Sequence, residues 1–87
     1  MKKLYVIEWI DSHMPSENNW QRIEYMKKPR SVICVSVGWI LKETKDNIVI
    51  TPHISDIKNK KDKGCACGLM TIPKAAMLKR TELKYKL

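Results

Sequence analysis

The sequence predicts a mainly β fold: a small five-stranded antiparallel barrel with one helix inserted after the first strand. Three observations carry that expectation. Short segments with apolar residues at every second position recur along the chain, separated by turn signals. Gly38 interrupts the longest of them, as where a sheet bends to close on itself. The 87 residues provide one domain, 1–87, close to the lower limit for a self-sufficient core.

The first strand covers residues 3–11. Leu4, Val6 and Ile10 fall on one side and Tyr5, Ile7 and Trp9 on the other, so neither side suits full exposure. Ser12-His-Met-Pro15 ends it. Ser16 then reads as a helix N-cap, with Glu17 in the first turn where the helix dipole favours a carboxylate. Trp20, Ile23 and Met26 give an apolar stripe, Lys27 and Lys28 suit the last turn, and Pro29 stops the helix. Residues 32–43 alternate most clearly. Ile33, Val35, Val37, Trp39 and Leu41 are predicted to face the core, and Cys34, Ser36, Gly38, Ile40 and Lys42 the opposite side. Lys45-Asp-Asn47 is a turn, and residues 48–53 return as the hairpin partner, with Pro52 at an edge or exit. A flexible basic loop occupies about 55–63. Residues 65–72 form the fourth strand, Pro73-Lys-Ala-Ala76 a tight turn or one turn of 3₁₀ helix, and 77–83 the last strand.

The net charge is +8, and it is unevenly placed. Residues 1–57 carry eight basic against seven acidic residues, a net of +1; residues 58–87 carry nine against two, a net of +7. Within that last third, residues 58–63 hold +3 and the basic C-terminal strand and tail, 74–87, hold +4. A localised basic region is the electrostatic footprint of a phosphate-bearing partner. Lys outnumbers Arg there, which suits diffuse attraction to phosphate better than bidentate reading of bases.

Length and composition also exclude classes. A two-lobed enzyme does not fit in 87 residues. The longest apolar run, 37–41, is far short of the ~20 residues of a membrane span. Glu8 and Asp11 stand where a signal peptide would be apolar, so the N-terminus is expected to be mature sequence. Three cysteines, an odd number, argue against a disulfide scaffold and for a reducing, cytoplasmic setting.

The stretch from Ser36-Val-Gly-Trp through the following hairpin, together with Ile72-Pro-Lys and an apolar strand, is similar to SH3-like small barrels, including the Sm-like group. More narrowly, Ile7-Glu-Trp-Ile-Asp-Ser, Trp20, Ser36-Val-Gly-Trp and Thr71-Ile-Pro-Lys resemble a family of small, mostly uncharacterised phage and prophage proteins. The likeness runs roughly from Leu4 to Leu83. It implies a phage origin and a small SH3/Sm-like barrel, and brings no activity or site with it. Sm-like proteins place their helix before the first strand, whereas here it comes after, so their ring assembly and RNA site do not carry over.

Candidate chemistry is sparse. Asp11-Ser-His13 has the residue types of a hydrolytic triad, but adjacent side chains diverge and cannot adopt that geometry. Asp11 and Ser12 are better placed to cap a strand end or to hydrogen-bond a ligand at the barrel rim. Cys65-Ala-Cys67, with Cys34 and His53, lacks the two-residue gap of a zinc knuckle. Gly64 and Gly68 flank no phosphate-cradling motif. No catalytic residue, metal site or cofactor is predicted. Trp9 and Trp20 either pack together as a small second core or flank a groove where a base stacks. The binding residues expected are Trp9, Asp11, Ser12, Trp20, Lys58, Lys60, Lys61, Lys74, Lys79 and Arg80, with the loop and C-terminal charge meeting along one barrel edge. The function expected is non-enzymatic binding of nucleic acid or a small phosphate-bearing nucleotide, in a phage the sequestering of a host defence signal. The other reading is a module that binds and inhibits a host protein. The last strand and tail offer an edge for a neighbouring subunit, so a homo-oligomer is expected.

Overall fold

The structure, a computed structural model, describes residues 2–12, 20–58, 61 and 64–85. It is mainly β. The strands are β1 (Leu4–Asp11), β2 (Val32–Glu43), β3 (Asn47–Thr51), β4 (His53–Ser55), β5 (Cys65–Cys67), β6 (Met70–Pro73) and β7 (Met77–Leu83). Five form one antiparallel sheet in the order β6-β3-β2-β1-β7, and β4 pairs with β5. The expected fourth strand is thus divided at Gly68-Leu69 and the hairpin partner at Pro52, which has no N–H for a ladder.

β6 and β7 are the two edges of the sheet, yet only a 3₁₀ turn, Lys74–Ala76, joins them. So short a link requires the sheet to curl until its edges approach. The edges do not pair, and the closed barrel expected from the sequence is not formed. Two irregularities in the ladders assist the curl. One lies in β2 between Ile40 and Lys42, the other between Glu8 and Trp9 where β1 meets β7. Each inserts a residue, Leu41 and Leu78 respectively, and bulges of this kind bend a strand and re-aim the side chains beyond the bend.

The concave side holds the core. Ile7, Ile48, Ile50 and Ile72 are buried there, with Tyr5, Trp9, Ile40 and Met77 packed around them. At ~1.5–3 kcal/mol for each buried aliphatic side chain, these four isoleucines are the main apolar contribution to folding. The faces of β2 are the reverse of those expected. Ile33, Val35 and Val37 point away from the core and are half or more exposed, and Trp39 and Leu41 are only half-buried. Cys34, Ser36 and Gly38 lie on the core side, opposite Trp9, Ile7 and Tyr5. The cause is the curl: the inside of a tight bend has room only for small side chains on its central strand. A Cβ at Gly38 would stand 2.9 Å from the Thr51 carbonyl oxygen, and the Ser36 hydroxyl accepts a 3.0 Å hydrogen bond from Trp9 Nε1.

The helix expected after the first strand is also not formed. Among the described residues between β1 and β2 there is a single 3₁₀ turn, Ile23–Tyr25, with no side-chain cap. Ser16 and Glu17 lie outside the described residues. The physical reason is the missing face to pack on. One turn costs nucleation entropy, and helices of this length depend on tertiary burial. Here Trp20, Ile23, Tyr25 and Met26 are all exposed.

β3–β4 and β5–β6 make one long arm. Ile48 pairs with Ile72, Ile50 with Met70, His53 with Cys67 and Ser55 with Cys65, so both ladders share a single register. Thr51, fully buried, bridges the break: its hydroxyl donates to the Cys67 carbonyl at 2.7 Å and accepts from the His53 N–H at 3.3 Å. Gly64 (φ 85°) and Gly68 (φ 80°) take left-handed conformations at the tip and at the break, where a side chain would be strained. The molecule measures 61 × 23 × 22 Å.

Candidate functional site

Three predicted cations meet where the sheet edges approach. Lys74 comes from the 3₁₀ turn, and Lys79 and Arg80 come from β7. With Glu43, Met77 and Leu78 they line an open depression of about 300 Å³. Glu43 ties the cluster together. Lys74 Nζ lies 2.8 Å from its Oε2, Arg80 Nη1 donates to its Oε1 at 3.0 Å, and Arg80 Nη2 to its Oε2 at 3.4 Å. The Arg80 guanidinium also stands over the Tyr5 ring, 5.4 Å from its centroid, a cation–π contact.

Glu43 reaches this position because of the bulge. Strict alternation from Ile33 would send it to the outer face with Val37 and Trp39. The extra residue at Leu41 shifts the phase, so Glu43 pairs with buried Ile48 and turns to the inner side. The Lys74 ammonium, then the Arg80 guanidinium, hold its carboxyl well below the usual range, at about 2. Arg80 is shifted up by the same contact. The cluster latches β2 to the far edge of the sheet and still keeps a surplus of positive charge: one carboxylate is shared by two cations, Lys74 and Arg80, while Lys79 pairs in register with Glu8 on the opposite face. Sequence reading missed Glu43, because its partners lie 31 and 37 residues away and no local pattern marks it.

Lys58 and Lys61 belong to the tip of the arm, where both are exposed; Lys60 lies outside the described residues. Asn47 and Pro73 form the arm's base, beside Lys74, whose N–H donates to the Asp46 carbonyl at 2.8 Å. From there to Ser55 and Cys65 is eight residue steps, about 26 Å at strand rise. The loop charge and the C-terminal charge therefore stand at opposite ends of the arm, not along one edge.

The remaining candidates do not join either group. Trp9 is half-buried in the core, its indole N–H engaged by Ser36. Asp11 and Ser12 end β1 in the open, with the Ser12 N–H donating to Asp11 Oδ1 at 2.8 Å, a strand-end turn. Trp20 is completely exposed and does not pack with Trp9. Cys34, Cys65 and Cys67 are free thiols, and among the described residues no group of His, Cys, Asp and Glu is placed to hold a metal. No helix among them is long and apolar enough to cross a membrane.

Comparison with family models, with curated proteins and with solved structures gave no match.

Proposed function

We propose that this protein is a non-catalytic binder of an extended polyanion, nucleic acid, which it contacts through the tip and the base of its basic arm. The observation that carries this reading is the arm, whose continuous register runs ~26 Å from Asn47 and Pro73, beside Lys74, to Ser55 and Cys65, with Lys58 and Lys61 beyond that far end. A single nucleotide is too small to neutralise both groups. Each strand of a duplex presents a phosphate about every 3.4 Å along the axis and spans that length in roughly eight steps. The net charge of +8 and the surplus of cations at the depression favour the same class of partner. The curled sheet is read as an opened-out small barrel of SH3-like type, and the resemblance to small phage proteins supports a role in the cytoplasm of an infected host.

The test is binding of a labelled duplex of about 20 base pairs across a salt series, where log affinity falls with log salt at ~0.9 per phosphate neutralised. Charge reversal of Lys58, Lys60 and Lys61 is expected to weaken binding at least tenfold and to flatten the salt slope. Lys79→Glu is expected to do the same to a smaller degree. Unchanged affinity in both variants would remove the arm from the interface. A host protein as the partner instead would show as complex formation insensitive to these reversals.

A further inference from the structure

Two features of the chain lack a counterpart in the protomer. The first is the outer face of β1 and β2. Ile10 pairs with Ile33, Glu8 with Val35, Val6 with Val37 and Leu4 with Trp39, so these residues share one face. Tyr85 packs edge-on to Trp39, with ring centroids 5.8 Å apart, and covers one end. Beyond it Ile33, Val35 and Val37 are 60%, 63% and 50% exposed. With Ile10 and Leu83 they form an apolar patch on the order of 500 Å², at the top of what monomers leave bare.

The second feature is the connection between β1 and β2. Its described part, residues 20–31, is exposed throughout and carries four large apolar side chains: Trp20, Ile23, Tyr25 and Met26. Trp20 and Tyr25 alone offer roughly 150–250 Å² each for burial. In this described stretch of twelve residues a single 3₁₀ turn is the one regular element, and stretches of that kind are uncommon in compact domains unless they act on something.

The whole molecule points the same way. Its radius of gyration is 17.6 Å, against about 12 Å for a compact chain of this length. Its accessible surface is 7829 Å², against about 5,300 Å² for a compact monomer of 10.2 kDa. That excess is well above the ~800 Å² each partner contributes to a standard interface.

We propose that the chain forms a twofold homodimer in which the 20–31 strap of each copy lies across the outer β1–β2 face of the other. The strap supplies apolar side chains that have no cover, and the face is an apolar surface that has no occupant. A second copy brings both halves at once, as a closed twofold interface requires.

The experiment is mass determination of the full chain by light scattering, at a protomer concentration of about 50 μM because a dimer's stability depends on concentration. Two variants accompany the parent chain: a strap variant, Trp20→Ser with Ile23→Ser, and a face variant, Val35→Glu with Val37→Glu. All these positions lie outside the core, and circular dichroism checks that each variant keeps its sheet. The parent chain is expected to run at twice the 10.2 kDa protomer mass and each variant alone as a monomer. Mixing the two variants restores one of the two strap–face contacts, intact strap on intact face, and is expected to give a weaker dimer than the parent chain, seen as a mass above the protomer's at a raised concentration of roughly several hundred μM. A monomeric parent chain would overturn the proposal, as would a dimer that survives both variants. A mixture that stays monomeric at that raised concentration, where the single intact contact should hold, would overturn the exchange.

Discussion

Replacing Glu43 by Gln removes the charge that holds Lys74 and Arg80 while keeping the shape of the side chain. Because the folded state depresses the Glu43 pKa to about 2, its ion pairs stabilise fully above the unfolded value and are lost as pH falls through about 2. Melting temperature is expected to decline between about pH 4.5 and 2, and the E43Q variant to lack that part of the decline. The same variant is expected to bind nucleic acid more tightly and with a steeper salt slope, since two cations are released toward phosphate. An unaltered slope would show that the depression does not touch the ligand. Two further residues test the fold. Ile48→Ala empties part of a core whose buried apolar side chains, among the described residues, are four isoleucines, and is expected to cost about 2–5 kcal/mol. That is a large share of the roughly 5–15 kcal/mol of a whole domain, so denaturant titration is expected to show a clearly lowered unfolding midpoint with an unchanged slope. Gly38→Ala sets a methyl group against the Thr51 carbonyl and is expected to cost about 1–3 kcal/mol.

At the scale of elements, the arm is the part most open to test. Gly64 has φ 85°, and a Cβ there would collide with the Ser55 carbonyl. Gly64→Ala is therefore expected to disorder the β4–β5 ladder and weaken nucleic-acid binding, with little change in sheet stability. Amide exchange would show faster exchange in β4 and β5 alone; loss of protection in β1 and β2 would contradict the division. The elements also show what the sequence can reveal. The limits of β2 and β7 and the turn at Lys74–Ala76 are legible because alternation and turn residues are local signals. The orientation of β2 is not. Alternation tells which residues share a side, and only the curl, through the close approach at Gly38, decides which side is inner. Trp20, Ile23 and Met26 have helical spacing but no surface to bury against in the protomer, so period alone misleads. Lys74, Lys79 and Arg80 were legible as charge, whereas Glu43 depended on a bulge that no local residue announces.

For the whole molecule, an elongated shape and two separated basic groups imply a ligand of matching length. The strap exchange would add a second arm to the same particle and extend the charged track further. That the partner is extended is the central claim, and affinity against oligonucleotide length tests it most directly. Binding to a series from a mononucleotide to about 20 nucleotides, at fixed moderate salt, is expected to be negligible for the mononucleotide. It should strengthen steeply once the strand is long enough to span the ~26 Å arm and level off after the contacts are complete. A mononucleotide or dinucleotide that binds as tightly as the longest strand would contradict an extended partner and return the site to a single compact pocket.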